Sequence, residues 1–501
     1  MENANQLELA LWIDGQERSG EGREQLDVLD PATEKVIGRL PVARPEDIQQ
    51  AVEAADREFP RWSSTPGIRR AEILRRTATL MRERRKALAA IVTAELGKSL
   101  EESLQEIDRA AEMFEWAAEE ARRLYGRQIP ARDSQLVQLA MLEPVGPVAA
   151  FSGWNAPAIT PSRKLSTALA AGCTVVLKAS EETPAIAFQI LRLLHEAGLP
   201  AGAANLVFGD PGKISDQLLD APQIRMASFT GSTAVGKVLA ARAAALLKPM
   251  ALELGGHAPV LVFDDADVER TADRLITAKL RNAGQICTSP TRIYAHDSVR
   301  APLVAALAER ASAWRVGDGR LPDTQMGPLA NPRRLQAISE MVEDAVAHGS
   351  RVAAGGRRIG SRGWFWEPTV LDGFSDDCLA ANVEPFGPLA MVRSFILVLS
   401  VMVVGTAYQM SSLTGIVRAG GATHFVLIND LIHIWGFVIP AAALAAFVFT
   451  ASPVVVFTLL KSDQILKCIV AFIKVNRYRW IKNLTLDKPG ATRPAGAKNI
   501  S

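Results

Sequence analysis

One cysteine lies in a stretch whose composition suits nucleophilic chemistry. Cys287 stands within residues 279–292, KLRNAGQICTSPTR, a small, polar segment loosened by glycine. A thiolate attacks an electrophilic carbon only when it is partly exposed and close to a group that takes its proton. Cys287 is therefore a candidate nucleophile. The alternative is a small core residue, the ordinary role of an unpaired cysteine.

Two upstream residues have the chemistry that such a nucleophile needs. Asn155 follows a buried strand predicted over 145–152 and precedes a proline, so its side-chain amide could donate to an oxyanion. Glu253 stands between two leucines, where burial would raise its pKa and suit a general base. The alternatives are an Asx-turn for Asn155 and a buried carboxylate paired with a backbone N–H for Glu253.

A second group of residues suits a dinucleotide. Lys178 closes the apolar strand 174–178, and Glu181 three residues on could accept from ribose hydroxyls. That carboxylate would repel a 2′-phosphate, which favours NAD over NADP. The acidic segment could instead cap the next helix. Gly231 and Ser232 open a turn whose N–H groups suit a phosphate, although this motif is not specific alone.

The candidates follow predicted strands of one alternating segment. Residues 8–40 predict short antiparallel strands, and 45–58, 68–96 and 99–125 predict amphipathic helices. Strands and helices then alternate, with strands predicted over 145–152, 174–178, 205–208, 226–230 and 258–262 and helices over 161–171, 185–197, 213–219 and 234–247. This order predicts an α/β fold with a doubly wound parallel sheet, which binds ligands at the carboxyl ends of its strands.

Composition limits the class of protein. A length of 501 residues allows two or three domains, and 56 basic against 54 acidic residues argue against a nucleic-acid partner. Four cysteines without a CxxC pair argue against zinc or a disulfide scaffold and fit a reducing cytosol. We expect no metal site and no signal peptide. Up to about residue 395 the proportion of charged residues is that of a soluble protein, whereas residues 396–475 are strongly apolar.

Six short motifs occur in an order that resembles the aldehyde dehydrogenase superfamily over about residues 8–395. They are WNAP around Asn155, Lys178 with Glu181, FTGS ending at Ser232, ELGG from Glu253, GQIC ending at Cys287, and EPFGP from Glu384. The resemblance implies a Rossmann-type cofactor domain over 1–254, with a hairpin insertion near 126–144, and a catalytic domain over 255–395.

The resemblance also implies roles for single residues. Cys287 would form a thiohemiacetal with an aldehyde, Asn155 and the Cys287 backbone N–H would hold the oxyanion, and Glu253 would activate water. NAD, with NADP less favoured, would contact Trp154, Lys178, Glu181, Gly231, Ser232, Glu384 and Phe386.

The segments around two arginines resemble the succinate-semialdehyde dehydrogenase branch of the family. There, arginines at the positions of Arg163 and Arg281 receive the far carboxylate of the substrate, which would select an ω-carboxylated aldehyde. The alternative is that both arginines are structural or surface residues.

The resemblance stops after EPFGP, so we expect a truncated catalytic domain. An apolar, transmembrane-like helical segment over 396–487 and a polar tail over 488–501 follow. Residues 395–410 are apolar but short, whereas 425–450 are long enough to cross a hydrocarbon core of about 30 Å. Residues 410–485 resemble the last spans of multidrug and toxic compound extrusion transporters, which implies a chimera. Asp430 and His433 lie inside the apolar run and receive no role.

Three interpretations of the whole chain stand. The first is an active dehydrogenase, cytoplasmic over 1–395, that takes a small aldehyde. The second is an inactive, truncated enzyme whose apolar segment contacts membranes. The third is a membrane transport fragment with an accessory soluble domain. The family implies a homo-oligomer, but the loss of its C-terminal strand puts that assembly in doubt here.

Overall fold

The computed structural model describes residues 7–394, 405–419, 421–449 and 453–477. The chain divides into two compact units, Met1–Ser394 and Phe395–Ser501, and each is described by itself. The helices of the first unit are α1 Pro45–Ser64, α2 Gly67–Glu83, α3 Arg85–Leu96, α4 Leu100–Ala121, α5 Ile159–Ala171, α6 Pro184–Glu196, α7 Pro211–Asp220, α8 Thr233–Ala245, α9 Val268–Leu280, α10 Asp297–Ala313, α11 Pro332–Ala347 and α12 Leu379–Asn382. Its strands are β1 Leu11–Ile13, β2 Gln16–Arg18, β3 Gln25–Leu29, β4 Val36–Pro41, β5 Arg127–Ile129, β6 Gln138–Ala140, β7 Val148–Phe151, β8 Val175–Lys178, β9 Ala204–Val207, β10 Met226–Gly231, β11 Met250–Leu254, β12 Val260–Val262, β13 Arg292–Ala295, β14 Arg351–Ala354, β15 Thr369–Asp372 and β16 Leu389–Ser394.

The larger sheet has seven strands in the order β11-β10-β7-β8-β9-β1-β2. The strands from β11 to β9 are parallel, and β1 and β2 extend the other end antiparallel. Strands β7, β8 and β9 are buried along their whole length, as expected for strands covered on both faces. The predicted parallel α/β sheet is confirmed, and its strand ends meet at one edge.

The smaller sheet has five strands in the order β12-β13-β16-β15-β14. Only β14 runs antiparallel to its neighbour in this sheet. Strand β16 lies in the centre, between β13 and β15, and buries Leu389–Val392. Because the EPFGP segment leads directly into this central strand, its backbone is fixed at one end by the core of the sheet.

Several segments differ from the sequence-based bounds or refine them. The expected short antiparallel strands form the pairs β1–β2 and β3–β4, and β5–β6 is an antiparallel pair within 126–144. The single helix predicted over 68–96 is wrong, because Arg84 leaves helical geometry at φ −104° and ψ 17° and separates α2 from α3. Arg84 pairs with Glu196, and the next residue, Arg85, pairs with Asp108.

Two sheet ends carry exposed apolar side chains. Leu252 of β11 is 40% exposed and Leu261 of β12 is 55% exposed. The adjoining helix α8 leaves Val238 uncovered, and Leu247 shortly after it is 92% exposed. The truncation of the catalytic domain remains a prediction.

The second unit is helical over its described residues. A helix 26 residues long, Thr423–Val448, is the one in the described part of the chain that is long and apolar enough to cross a membrane. It corresponds to the span predicted over 425–450. Pro453–Lys461 and Asp463–Asn476 follow it. Most of the apolar run 395–410 and the tail 488–501 lie outside the described residues.

One buried ammonium group links helices of the second unit. Lys467 Nζ lies 3.0 Å from Asp430 Oδ1 and 2.9 Å from Asp463 Oδ2. The imidazole of His433 contacts the backbone oxygen of Asn429 at 2.8 Å. Asp430 therefore has an ion-pair partner within the second unit.

Candidate active site

The nucleophile candidate follows a left-handed turn. Asn282, Ala283 and Gly284 have φ values of 49°, 52° and 71°, which end the helical path after α9. A Cβ on Gly284 would lie 2.0 Å from the backbone oxygen of Gly387, so this turn also touches the EPFGP segment. The turn presents Cys287 partly buried rather than inside the core.

The side chain of Gln285 stabilises this turn through two hydrogen bonds. Gln285 is fully buried, and its Nε2 donates to the backbone oxygen of Asn282 at 3.0 Å. Its Oε1 accepts from the backbone N–H of Ala330 at 2.9 Å. Sequence reasoning did not single out Gln285, although a glutamine two residues before a candidate nucleophile was a signal that could have been weighed.

Asn155 lies against the nucleophile segment although 130 residues separate it from Gln285. Asn155 Nδ2 donates to the Gln285 backbone oxygen at 3.0 Å, and Asn282 Nδ2 donates back to the Asn155 backbone oxygen at 2.8 Å. The segment after β7 and the turn before Cys287 are therefore joined by reciprocal hydrogen bonds. The amide nitrogen of Asn155 therefore has its partner in a segment that is distant in sequence.

Burial and nearby carboxylates raise the pKa of the Cys287 thiol. Burial is the largest cause, and the carboxylates of Glu253 and Glu384 add to it because they disfavour a nearby thiolate. The Cys287 backbone N–H and the Arg163 guanidinium oppose the shift. The sulfur is thus within electrostatic range of three predicted site residues from three separate segments, and at rest it is held as a thiol.

Glu253 departs from its predicted surroundings. It lies on β11, the last strand of the larger sheet, and is exposed. The expectation of a carboxyl group in apolar surroundings is therefore wrong: the flanking leucines are also only partly covered at this sheet end. The same location gives its carboxylate direct access to water.

The loop after β8 contains an ion pair and is bonded to the segment after β9. Lys178 Nζ lies 2.6 Å from Glu181 Oε2, and Glu181 Oε1 accepts from the backbone N–H of Gly209 at 2.9 Å. The helix-capping alternative for this acidic segment is wrong, since the first N–H groups of α6 donate to Glu95 from another helix. Lys178 is nearly buried while Glu181 remains partly exposed at the strand end.

The loop after β10 begins a helix at once. Ser232 is the N-cap of α8, and its Oγ accepts from the backbone N–H of Val235 at 3.3 Å. A Cβ on Gly231 would lie 2.5 Å from the ring of Phe229, which favours glycine there. The first N–H groups of a helix have no partner within the helix backbone, so the start of α8 suits a phosphate.

Glu384 lies against the two glycines that follow Glu253. A Cβ on Gly255 would lie 2.0 Å from Glu384 Oε2, and the Gly256 N–H donates to the same carboxylate. Burial raises the pKa of Glu384, while Gly256 and the cations of Lys279 and Arg334 oppose that shift. Within the described part of the chain, Glu384 Oε1 is buried without a hydrogen-bond partner. A free acceptor at this point fits the hydroxyl groups of a dinucleotide ribose.

Two aromatic rings of predicted cofactor residues pack together. Trp154 and Phe386 meet edge to face, with ring centroids 5.3 Å apart. Phe386 has a left-handed backbone at φ 47°, and Arg334 lies 6.0 Å above its ring. The structure therefore places these two predicted cofactor residues together, from the segments after β7 and before β16.

The two predicted substrate arginines are both exposed. Arg163 influences Cys287 electrostatically, whereas Arg281 acts on Glu102, a carboxylate of α4. Lys164, the neighbour of Arg163, is a residue near the site that the sequence-based prediction did not include. Lys164 is buried, donates to Ser228 Oγ at 2.9 Å, and has its pKa lowered to about 8 by burial, with Glu253 opposing the shift.

Comparison with known proteins places the chain in a family. The aldehyde dehydrogenase family model matches residues 18–397, and the chain belongs to that family. It is 42% identical over 374 residues to a probable succinate-semialdehyde dehydrogenase [NADP(+)] of Sinorhizobium fredii, covering 74% of this chain and 76% of the relative. It is 39% identical over 384 residues to a glutarate-semialdehyde dehydrogenase of Pseudomonas putida, covering 77% and 80%.

Solved structures agree with this family. A succinate-semialdehyde dehydrogenase from Burkholderia pseudomallei is 37% identical with a TM-score of 0.78, covering 81% of this chain and 84% of that one. A NAD-dependent aldehyde dehydrogenase from Sinorhizobium meliloti is 31% identical with a TM-score of 0.78, covering 81% and 82%. The predicted α/β aldehyde dehydrogenase fold is confirmed. The family and its semialdehyde dehydrogenase relatives support oxidation of an aldehyde to an acid with NAD or NADP.

Proposed function

We propose that this chain oxidises an aldehyde with a distant carboxylate, of the size of succinic or glutaric semialdehyde, to the dicarboxylic acid. The proposal rests on the hydrogen bond from Asn155 to Gln285, which brings an amide donor beside the segment of Cys287. The positive charge of Arg163 within range of the same sulfur supports an anionic substrate. Relatives from S. fredii and P. putida are named for these two semialdehydes.

The first step is attack of Cys287 Sγ on the aldehyde carbon. The thiol gives its proton to solvent water, the S–C bond forms as the C=O π bond breaks, and the negative charge moves to the carbonyl oxygen of the resulting thiohemiacetal. Asn155 Nδ2 and the Cys287 backbone N–H are the donors for this oxygen, and such donors lower the barrier when they are held in place beforehand. NAD or NADP, when bound, supplies the acceptor for the hydride that leaves the substrate carbon, and a thioester remains on Cys287.

The second step is hydrolysis of that thioester. Glu253 accepts a proton from water, the hydroxide attacks the carbonyl carbon, and the C–S bond breaks to release the acid and the Cys287 thiolate. Because Glu253 is exposed on β11, water can reach its carboxylate directly from solvent. The Glu253 carboxylate also lies within electrostatic range of the Cys287 sulfur, which supports its assignment as the base for this step.

For the cofactor we favour NAD. Lys178 and Glu181 would hold the adenosine ribose, and the negative charge of Glu181 would oppose a 2′-phosphate. The relative from S. fredii is named for NADP(+), and the neighbour from S. meliloti is named NAD-dependent. The ratio of kcat/KM for NAD to that for NADP tests this choice. We expect Glu181→Ser to lower it, and a wild-type ratio below one would contradict the assignment.

Formation of NADH from NAD and succinic semialdehyde, followed by absorbance, tests the function. Cys287→Ser is the control that should abolish the signal, because a hydroxyl is a far poorer nucleophile than a thiolate near neutral pH. Absence of a signal in the wild type with succinic and glutaric semialdehyde, with either cofactor, would favour the inactive, truncated enzyme instead.

A membrane role for the second unit is a separate proposal. The helix Thr423–Val448 leaves Trp435, Phe437 and Phe447 largely exposed, and such a surface suits a bilayer. Flotation of the full chain with neutral and anionic vesicles, compared with Trp435→Lys plus Phe437→Lys, would test it. Equal flotation of both would argue against this contact. The transporter chimera, the cytoplasmic placement of 1–395 and a homo-oligomer remain predictions.

A further inference from the structure

Buried carboxylates from α3 and α4 reach the segments that carry the candidate site. Glu95 and Glu106 are 2% and 3% exposed, and Glu102 has one carboxyl oxygen buried without a partner in the described part of the chain. Lys98, between the two helices, is also buried and forms an ion pair with Glu106. The proposed chemistry uses none of these groups directly, so their cost of burial needs another explanation.

Glu102 holds the left-handed turn before the nucleophile. Its Oε1 accepts from the backbone N–H of Asn282 at 3.0 Å, across 180 residues of sequence. Asn282 and Ala283 adopt positive φ without being glycine, a conformation that persists only where surrounding contacts enforce it. The bond from Glu102 is such a contact, and it comes from a separate helix.

Glu106, one turn further along α4, holds the segment of the oxyanion donor. Its Oε1 accepts from the backbone N–H of Ala158 at 2.8 Å and of Ile159 at 3.4 Å. These donors begin α5, where helix N–H groups have no partner inside the helix and favour a negative charge. Asn155 lies three residues before Ala158, so the position of α5 determines where its amide points.

The two anchored segments also bind each other. The Asn155 side-chain amide donates to the backbone oxygen of Gln285, and the Asn282 side-chain amide donates to the backbone oxygen of Asn155. Helix α4, the segment of Asn155 and the turn before Cys287 therefore form a closed ring of contacts. We infer that Glu102 and Glu106 are positioning residues that set the distance between the Cys287 sulfur and the Asn155 amide.

This inference rests on the proposed function for its effect on turnover, but not for its effect on the thiol segment. The hydrogen bond to Asn282 needs an acceptor oxygen and not a charge. Glutamine at position 102 keeps that oxygen, leucine removes it, and aspartate is one methylene too short to reach. Glu101 is an exposed residue in the same turn of α4 and supplies the matched control.

The test compares Glu102→Gln, Glu102→Leu, Glu102→Asp and Glu101→Leu in the full chain. Amide exchange of the peptide over 279–287 and the rate of Cys287 alkylation by iodoacetamide are measured, with Cys287→Ser identifying the reactive thiol. We expect faster exchange and an altered alkylation rate for the leucine and aspartate variants, and wild-type values for the glutamine variant and for Glu101→Leu. If Glu102→Leu does not fold, Glu102→Asp is compared with Glu102→Gln and the wild type instead.

In turnover, Glu102→Leu and Glu102→Asp should lose about 10- to 100-fold in kcat with little change in KM for NAD, since small misplacement of reacting groups has such effects. Glu102→Gln should retain most of kcat. A glutamine variant as impaired as leucine in amide exchange, or a leucine variant equal to wild type there, would overturn the positioning role. If no aldehyde is oxidised by the wild type, the exchange and alkylation results still decide it.

Discussion

Replacement of Gly255 by alanine should weaken cofactor binding without unfolding the protein. The added Cβ would lie 2.0 Å from Glu384 Oε2 and 3.0 Å from Glu384 Cδ. Contacts this short cannot persist, and the Glu384 carboxylate, as the end of a flexible side chain, is the group that moves. Its proposed hydrogen bonds to the nicotinamide ribose would be lost.

The size of the effect follows from the kind of bond. A hydrogen bond to a charged group contributes about 1.5–3 kcal/mol, which corresponds to a change of about 10- to 150-fold in KM for NAD at about 1.4 kcal/mol for each factor of ten. Gly256→Ala is the matched control, because a Cβ there meets nothing within 4 Å. Its N–H would still donate to Glu384.

The assay is steady-state NADH formation with saturating aldehyde and varied NAD, in Gly255→Ala, Gly256→Ala, Glu384→Ala and the double variant of positions 255 and 384. We expect a raised KM in Gly255→Ala, a value near wild type in Gly256→Ala, and little further change when Gly255→Ala is added to Glu384→Ala. Equal KM values in the two glycine variants, or additive effects in the double variant, would refute the steric route through Glu384.

Three further predictions concern the chemical steps. Asn155→Ala should lower kcat about 100- to 1000-fold, the loss of one oxyanion donor, with KM for NAD unchanged in the same assay. Glu253→Gln removes a negative charge that raises the pKa of Cys287, so the thiolate fraction at pH 8 should rise and iodoacetamide should alkylate Cys287 faster. Hydrolysis of the thioester, measured after a single-turnover burst, should become slower in the same variant. Slower alkylation than in the wild type would contradict this prediction. Arg163→Met should raise KM for succinic semialdehyde about tenfold but not KM for butyraldehyde, and equal effects on both aldehydes would exclude a carboxylate contact.

The parallel sheet was predictable because its strands are short apolar runs between helical patterns. VVLK of β8 and VAAF of β7 are buried throughout, and the polar residues after them could be read as strand-end groups. The motif around Cys287 was equally visible, because a polar, glycine-containing segment differs from core sequence.

The remaining features depend on contacts that a local pattern does not encode. Glu253 has leucines on both sides, but its exposure is decided by the location of β11 at a sheet end. The break at Arg84 has no glycine or proline to mark it. The bond between Glu102 and Asn282 joins residues 180 positions apart, and nothing in either segment indicates the other.

The left-handed backbone at Ala283 has a consequence for attempts to stabilise the protein. An alanine in this conformation costs about 1–2 kcal/mol relative to a right-handed one, and glycine would relieve that penalty. The Ala283 methyl group is buried, however, and its loss costs about 0.8 kcal/mol, so Ala283→Gly would gain little stability. The same change would give the segment leading to Cys287 more freedom, so this position offers a screen for higher melting temperature little gain at a risk to turnover.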